Sequence, residues 1–165
     1  MIIIAAMSTD RIIGSGNGMP WSVPEEYRQF LDFIKGQTVI MGRRSYEIFG
    51  SDLTSAHNVV VSQSWEGEEG VVSCGSVEEA AQRASSFGKR VFSAGGATIY
   101  EQTLPLADAM YISYIKGNFT GDTRFPEFDE GNWEVAERRD HERFEFVHYQ
   151  RGGLYRYRAK TSCQA

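Results

Sequence analysis

The chain has little cysteine, little proline and no long apolar run. Its two cysteines, Cys74 and Cys163, lie far apart and outside any CxxC pattern. That excludes a disulfide framework and a cysteine-rich zinc site, and makes a reducing compartment the default. The opening run Met1–Met7 is apolar but has only seven residues and no basic flank, too short for a signal-peptide core or a membrane span. It reads as a buried first strand of a protein that stays in the cytoplasm. Basic residues are outnumbered, 17 Lys+Arg against 22 Asp+Glu for a net charge of −5, and form no block. Nucleic acid and anionic membrane are therefore poor partners. The three histidines, His57, His141 and His148, show no metal-ligand spacing, so no metal is expected. No GxSxG elbow, GxGxxG fingerprint or phosphate-binding P-loop occurs. What is present is 165 residues, 41% hydrophobic and 24% charged, which fits one domain over 1–165 with a real core. A monomer is the favoured state.

Short apolar β-branched runs alternate with helical patterns. The runs are Ile2–Met7, Thr38–Met41, Val59–Val61, Val71–Val72 and Val91–Ala94. Runs apolar throughout suggest parallel strands covered on both faces by crossover helices. A first helix is expected after Ser22, with Glu25 completing a capping box, Pro24 in the first turn and Gly36 at the end. Tyr27, Phe30, Leu31 and Ile34 form its apolar stripe. A second helix opens with the box Ser76–Glu79 and turns Val77, Ala80, Ala81 and Ala84 to one face. Shorter helices are expected over about 44–49 and 97–104. The last third alternates as strands do, over Met110–Ile115, Trp133–Arg138, Phe144–Gln150 and Leu154–Ala159. The fold class is thus α/β: a mostly parallel central sheet, helices on both faces and C-terminal antiparallel strands.

Four features could carry chemistry. Glu26 shares a helix face with Phe30 and Phe33 at roughly 100° per residue. A carboxylate among aromatic rings is desolvated, which raises its pKa and suits it to proton handling near neutrality. The alternative is a first-turn acid stabilised by the helix dipole. In TVIMGRRS, residues 38–45, a strand meets Gly42 and then Arg43, Arg44 and Ser45, a junction that offers backbone N–H groups and guanidinium forks to an anion. A solvated basic turn is the alternative. In VFSAGGATIY, residues 91–100, a strand again meets glycines before a helix, so the backbone can approach a diphosphate closely or merely make a tight turn. In VVVSQS, residues 59–64, no acid follows the strand. A site selective for NAD places an acid on the ribose 2′-hydroxyl. Its absence, with Arg43 and Arg44 nearby, leans toward NADP.

At this point the motifs resemble a known family. The segment Ile13-Gly14…Asn17-Gly18-Met19-Pro20-Trp21, followed by Glu26 and Phe30, is similar to dihydrofolate reductase. So are MGRRSYE at Met41–Glu47, the glycine stretch with its Tyr-Glu-Gln from Ala94 to Pro105, and Gly121-Asp122-Thr123 with Phe125-Pro126. The resemblance covers nearly the whole chain in order. It implies NADPH as cofactor and a small dihydropterin as substrate. Glu26 would hold the pterin ring and promote protonation at N5, with Trp21 ordering a water and Ser113 bonding the carboxylate. Ile4, Ala5 and Ala6 would line the pterin pocket, Ile4 through its carbonyl as well. Tyr27, Phe30, Phe49 and Leu53 would hold the aryl tail. The loop from Ile13 and Gly14 through Asn17, Gly18 and Met19 to Trp21 would close over the nicotinamide. Gly42, Arg43, Arg44, Ser45, Ser62 and Gln63 would take the adenosine phosphates. Ala94, Gly95, Gly96, Ala97, Thr98, Ile99 and Tyr100, with Ala6 and Thr123, would complete the cofactor site, with the Gly95–Gly96 peptide cis.

One departure bears on the substrate. The stretch 50–58 reads GSDLTSAHN, and Ala56 stands where the family usually has an arginine that grips the tail carboxylate of folate. His57 would point elsewhere, and Arg28 could take the tail instead. Ala97 and Thr98 replace a common glycine and a phosphate-binding arginine. Dihydrofolate is the leading substrate. Dihydromethanopterin, whose aryl ring carries no directly attached glutamate, is the rival. The pyrimidine reductase of riboflavin synthesis and a non-catalytic binding protein are the remaining alternatives.

Overall fold

The computed structural model describes residues 1–153. The strand expected at Leu154–Ala159 lies outside the described residues. Eight strands form one sheet: β1 (Ile2–Ser8), β3 (Thr38–Gly42), β4 (His57–Val61), β5 (Val71–Cys74), β6 (Val91–Ser93), β7 (Ala109–Ile115), β9 (Trp133–Asp140) and β10 (Phe144–Arg151). Their order is β5-β4-β3-β6-β1-β7-β10-β9. Neighbours from β5 through β7 pair in parallel, and β10 pairs antiparallel with both β7 and β9. Two short strands not anticipated from the sequence, β2 (Ile12–Gly14) and β8 (Thr123–Arg124), pair separately.

The apolar runs are strands because both faces are covered. In β3, Val39 and Met41 pack with Ile34, at the end of α1 (Pro24–Ile34), while Ile40 packs with Val77, Ala80 and Ala84 of α3 (Val77–Ser85). α2 (Arg43–Phe49) follows β3, and α4 (Ala97–Thr103) follows β6. Among the described residues no helix is long and apolar enough to cross a membrane.

The two expected capping boxes fare differently. At α3 the cap forms: Ser76 Oγ accepts from the Glu79 N–H at 3.2 Å, and the Glu79 carboxylate accepts from Gly75 N–H at 3.0 Å. At α1 it does not. Pro24 restricts the residue before it to extended backbone, so the N-cap falls on Val23, which has no side-chain acceptor. Glu25 is bonded instead by both arms of the Arg143 guanidinium, each at 2.7 Å. Gly36 ends the helix as expected, in the left-handed region at φ 70°.

Candidate active site

A cleft of about 420 Å³ opens at the C-terminal ends of the parallel strands, where an open α/β sheet binds its ligands. One wall is α1. Glu26 lines the cleft and is only 6% exposed, the one buried acid among the described residues. Burial pushes its carboxyl up to about 7, while a hydrogen bond with Ser113 pulls the other way. Ser113 is buried on β7 beneath α1, and its Oγ accepts from Gln29 Nε2 at 3.4 Å. The Tyr100 hydroxyl, also buried, donates to the Ile4 carbonyl at 2.8 Å. Its phenol is pushed well above the usual range by burial and by the Glu26 charge. Trp21 packs edge-on against Phe119 at 5.3 Å, and its buried indole N–H has no protein acceptor.

The opposite end is built from backbone. The Gly95–Gly96 peptide is cis, the geometry that the resemblance implies. Gly95 has φ +96°, and a Cβ there would sit 2.9 Å from the Tyr100 ring, so no side chain fits. The Gly42 N–H donates to the Gly95 carbonyl at 2.8 Å, bringing the two strand–helix junctions side by side. Arg43 pairs with Glu47 at 2.9 Å. Arg44 reaches over the cleft to the Gly16 carbonyl at 2.9 Å and to Asn17 Oδ1 at 3.3 Å. The same loop is held from the other side, where Asp122 accepts from the Gly16 N–H at 3.2 Å. At Gly121 a Cβ would lie 2.2 Å from the Gly14 carbonyl, so β2 and the segment before β8 can touch only through glycine.

Most of the residues named from the sequence meet at this cleft. Ile4, Ala5, Ala6, Ile13, Gly14, Gly18 and Met19 line it from β1 and the loop. Tyr27, Phe30 and Phe49 form its outer walls, and Gly42 to Ser45, Ala94 to Tyr100 and Thr123 complete it. Others sit behind the lining or beside it. Ser113 and Trp21 stand behind Glu26 and the loop, and Leu53 packs in the apolar cluster that contains Phe30 and Phe49. Ser62 and Gln63 follow the lining residue Val61 without lining the cleft themselves. The Ser62 Oγ accepts from the N–H groups of Ser64 and Trp65, and Gln63 is exposed on that turn. Sequence reasoning missed Met41, Ile48 and Val61, which also line the cleft, as does Gly16 within the loop it named. Met41 and Val61 end the apolar runs already read as strands, a usable signal. Ile48 gives none, because it is 37% exposed on a short helix.

The tail end corrects one expectation. Arg28 does not reach the cleft. It lines a separate groove on the other side of α1 with Glu25, Asp32 and Arg139. The helical period explains this, since residues 26 and 28 point some 200° apart. His57 stacks on Phe87 at 3.9 Å, on the α3 face. Ala56 is exposed, with its N–H bonded to the Gln37 carbonyl at 2.8 Å.

A sequence model of the family described as dihydrofolate reductase matches residues 1–151. The chain is a member of the dihydrofolate reductase family. Among relatives, dihydrofolate reductase HdrB of Haloferax volcanii is 38% identical over 160 residues, covering 91% of this chain and 82% of that protein. The dihydrofolate reductase of Bacillus subtilis (strain 168) is 35% identical over 134 residues, covering 81% and 79%. Among solved structures, the dihydrofolate reductase from Enterococcus faecalis complexed with NADP(H) and RAB-propyl superposes with a TM-score of 0.80 at 26% identity. The match covers 92% of this chain and 95% of that one. Membership in the dihydrofolate reductase family agrees with the mostly parallel sheet, its antiparallel C-terminal strands and a cleft between two glycine junctions.

Proposed function

We propose that this chain reduces a 7,8-dihydropterin to its tetrahydro form with NADPH, dihydrofolate being the leading substrate. The observation that carries the reading is Glu26, a carboxyl buried in the cleft lining, where desolvation pushes it up to about 7. The donor set suits the cofactor. Arg43, Arg44 and Ser45 present cationic and hydroxyl donors to phosphate, and Gly95 and Gly96 leave room for close backbone approach. When bound, NADPH supplies the hydride. The chain supplies everything else. Glu26 pairs with the ring donors of the pterin and holds a proton at the pH where N5 must receive one. Ser113 orients the Glu26 carboxylate from behind. Ile13 to Trp21, tethered through Arg44 and Asp122, cover the cleft and exclude water. Ala56, standing where the resemblance implies an arginine, supports a second reading in which the tail carries no glutamate, as in dihydromethanopterin.

The test is oxidation of NADPH and of NADH with dihydrofolate, followed at 340 nm in wild type and Arg43→Ala. Wild type is expected to turn over with NADPH far better than with NADH. Arg43→Ala should raise the KM for NADPH about tenfold, a charge-assisted contact being worth roughly 1.5–3 kcal/mol, and leave that for NADH nearly unchanged. Equal losses with both cofactors would remove Arg43 from the 2′-phosphate.

A further inference from the structure

Gln29 ties the far side of α1 to the buried carboxyl. It lies about one helical turn after Glu26, on the flank of α1 that borders the groove lined by Arg28, Asp32 and Arg139. From there its Nε2 donates to Ser113 Oγ at 3.4 Å. Ser113 sits on β7 with 2% of its surface exposed, and its neighbours across the sheet are Ala6 and Phe146, neither with a polar side chain. Its hydroxyl thus meets two polar side chains among the described residues, Gln29 and Glu26. A serine hydroxyl has one proton to give and lone pairs that accept. Gln29 takes a lone pair as a donor, so the proton is left for Glu26. The bonds then run with one polarity, from the amide N–H through the hydroxyl to the carboxylate. Around them, the titratable and charged groups on the cleft side are Tyr27 of α1, Arg43 and Arg44 of α2 and Tyr100 of α4. On the groove side they are Glu25, Arg28 and Asp32 of α1, Arg139 of β9 and His141 of the turn before β10.

We infer that Gln29 is a positioning residue for the reduction: by donating to the Ser113 hydroxyl it commits that group's one proton to the Glu26 carboxylate and holds the carboxylate in the orientation that meets the pterin. The inference rests on the dihydropterin reading above. Its physical basis is the difference between a fixed and a free hydroxyl. With the amide in place, the hydroxyl has one good direction in an otherwise apolar slot; without it, the hydroxyl is no longer held on the carboxylate. A bond donated to a carboxylate favours its charged form, so losing that bond moves Glu26 further up.

The test is a double-mutant cycle over Gln29→Met and Ser113→Ala, which alter shape little and leave every surrounding charge in place. One readout is the titration of the Glu26 carboxyl in the ligand-free protein by carbon-13 NMR, its signal identified by loss in Glu26→Gln. The other is the single-turnover rate of dihydrofolate reduction by NADPH as a function of pH. Gln29→Met should move the Glu26 midpoint and the break in the rate profile to higher pH. It should also slow the plateau about threefold, the size of one neutral hydrogen bond. In the Ser113→Ala background the same substitution should move neither. A midpoint that moves equally in both backgrounds marks a general effect on the helix and overturns the role of Gln29. So does a midpoint that stays put, or one that falls, which would mean that the amide accepts from Ser113. Absence of NADPH oxidation by wild type with either dihydrofolate or dihydromethanopterin overturns the dihydropterin reading, and with it any part of Gln29 in that reaction, so the two failures are told apart.

Discussion

Two adjacent glutamates show how placement divides roles. Glu25 is solvent-facing, and the Arg143 guanidinium bonded to it holds its carboxyl below the usual range. Glu26, one residue on, turns inward, and burial raises its carboxyl from 4.5 to about 7. The raised value fixes the sign of its effect on stability. Below pH 4.5 the group is protonated in folded and unfolded chains alike. Between 4.5 and 7 the folded chain binds the extra proton, so stability falls as pH rises through that window and stays reduced above it. Glu26→Gln removes that penalty. It should stabilise the ligand-free protein by about 1–3 kcal/mol at pH 8.5 and by much less at pH 5. Thermal melts at the two pH values check this, and a gain independent of pH would contradict it. The inward turn of Glu26 was legible because helical period and aromatic neighbours are local. The partner of Glu25 was not, because Arg143 lies 118 positions away.

At the level of elements, the caps give a paired prediction. Ser76 caps α3 through the Glu79 N–H, whereas Ser22 caps nothing because Pro24 moves the start of α1 to Val23. Ser76→Ala should cost about 1 kcal/mol in urea denaturation, and Ser22→Ala only a few tenths. Equal losses would mean that the box at α1 forms after all. The long strands were readable from runs of β-branched residues, and their covered faces bear that out. β2 and β8 were not readable. They have three and two residues, and they exist because the backbone near Gly121 can lie against Gly14. The bonding inside the turn after β4 was not readable either: the Ser62 hydroxyl accepts from the N–H groups of Ser64 and Trp65.

For the molecule as a whole, the cleft arises where segments following β1, β3 and β6 converge, bringing residues 4, 26, 42 and 95 to one place. Motif order in the chain anticipated that convergence, because each motif sits at a strand–helix junction. It could not anticipate the packing of the outer face of α1, where Arg28 enters a separate groove with Glu25, Asp32 and Arg139. The central claim is that the buried Glu26 supplies the proton for reduction of a dihydropterin by NADPH. The most direct measurement is the single-turnover rate of that reduction from pH 5 to 9, in wild type and Glu26→Gln. Wild type should hold a plateau below about pH 7 and lose about tenfold per unit above it. Glu26→Gln should be slower by about 10²–10⁴-fold on the plateau and lack the break near 7. A variant that keeps the wild-type rate, or the same break, would contradict the assignment.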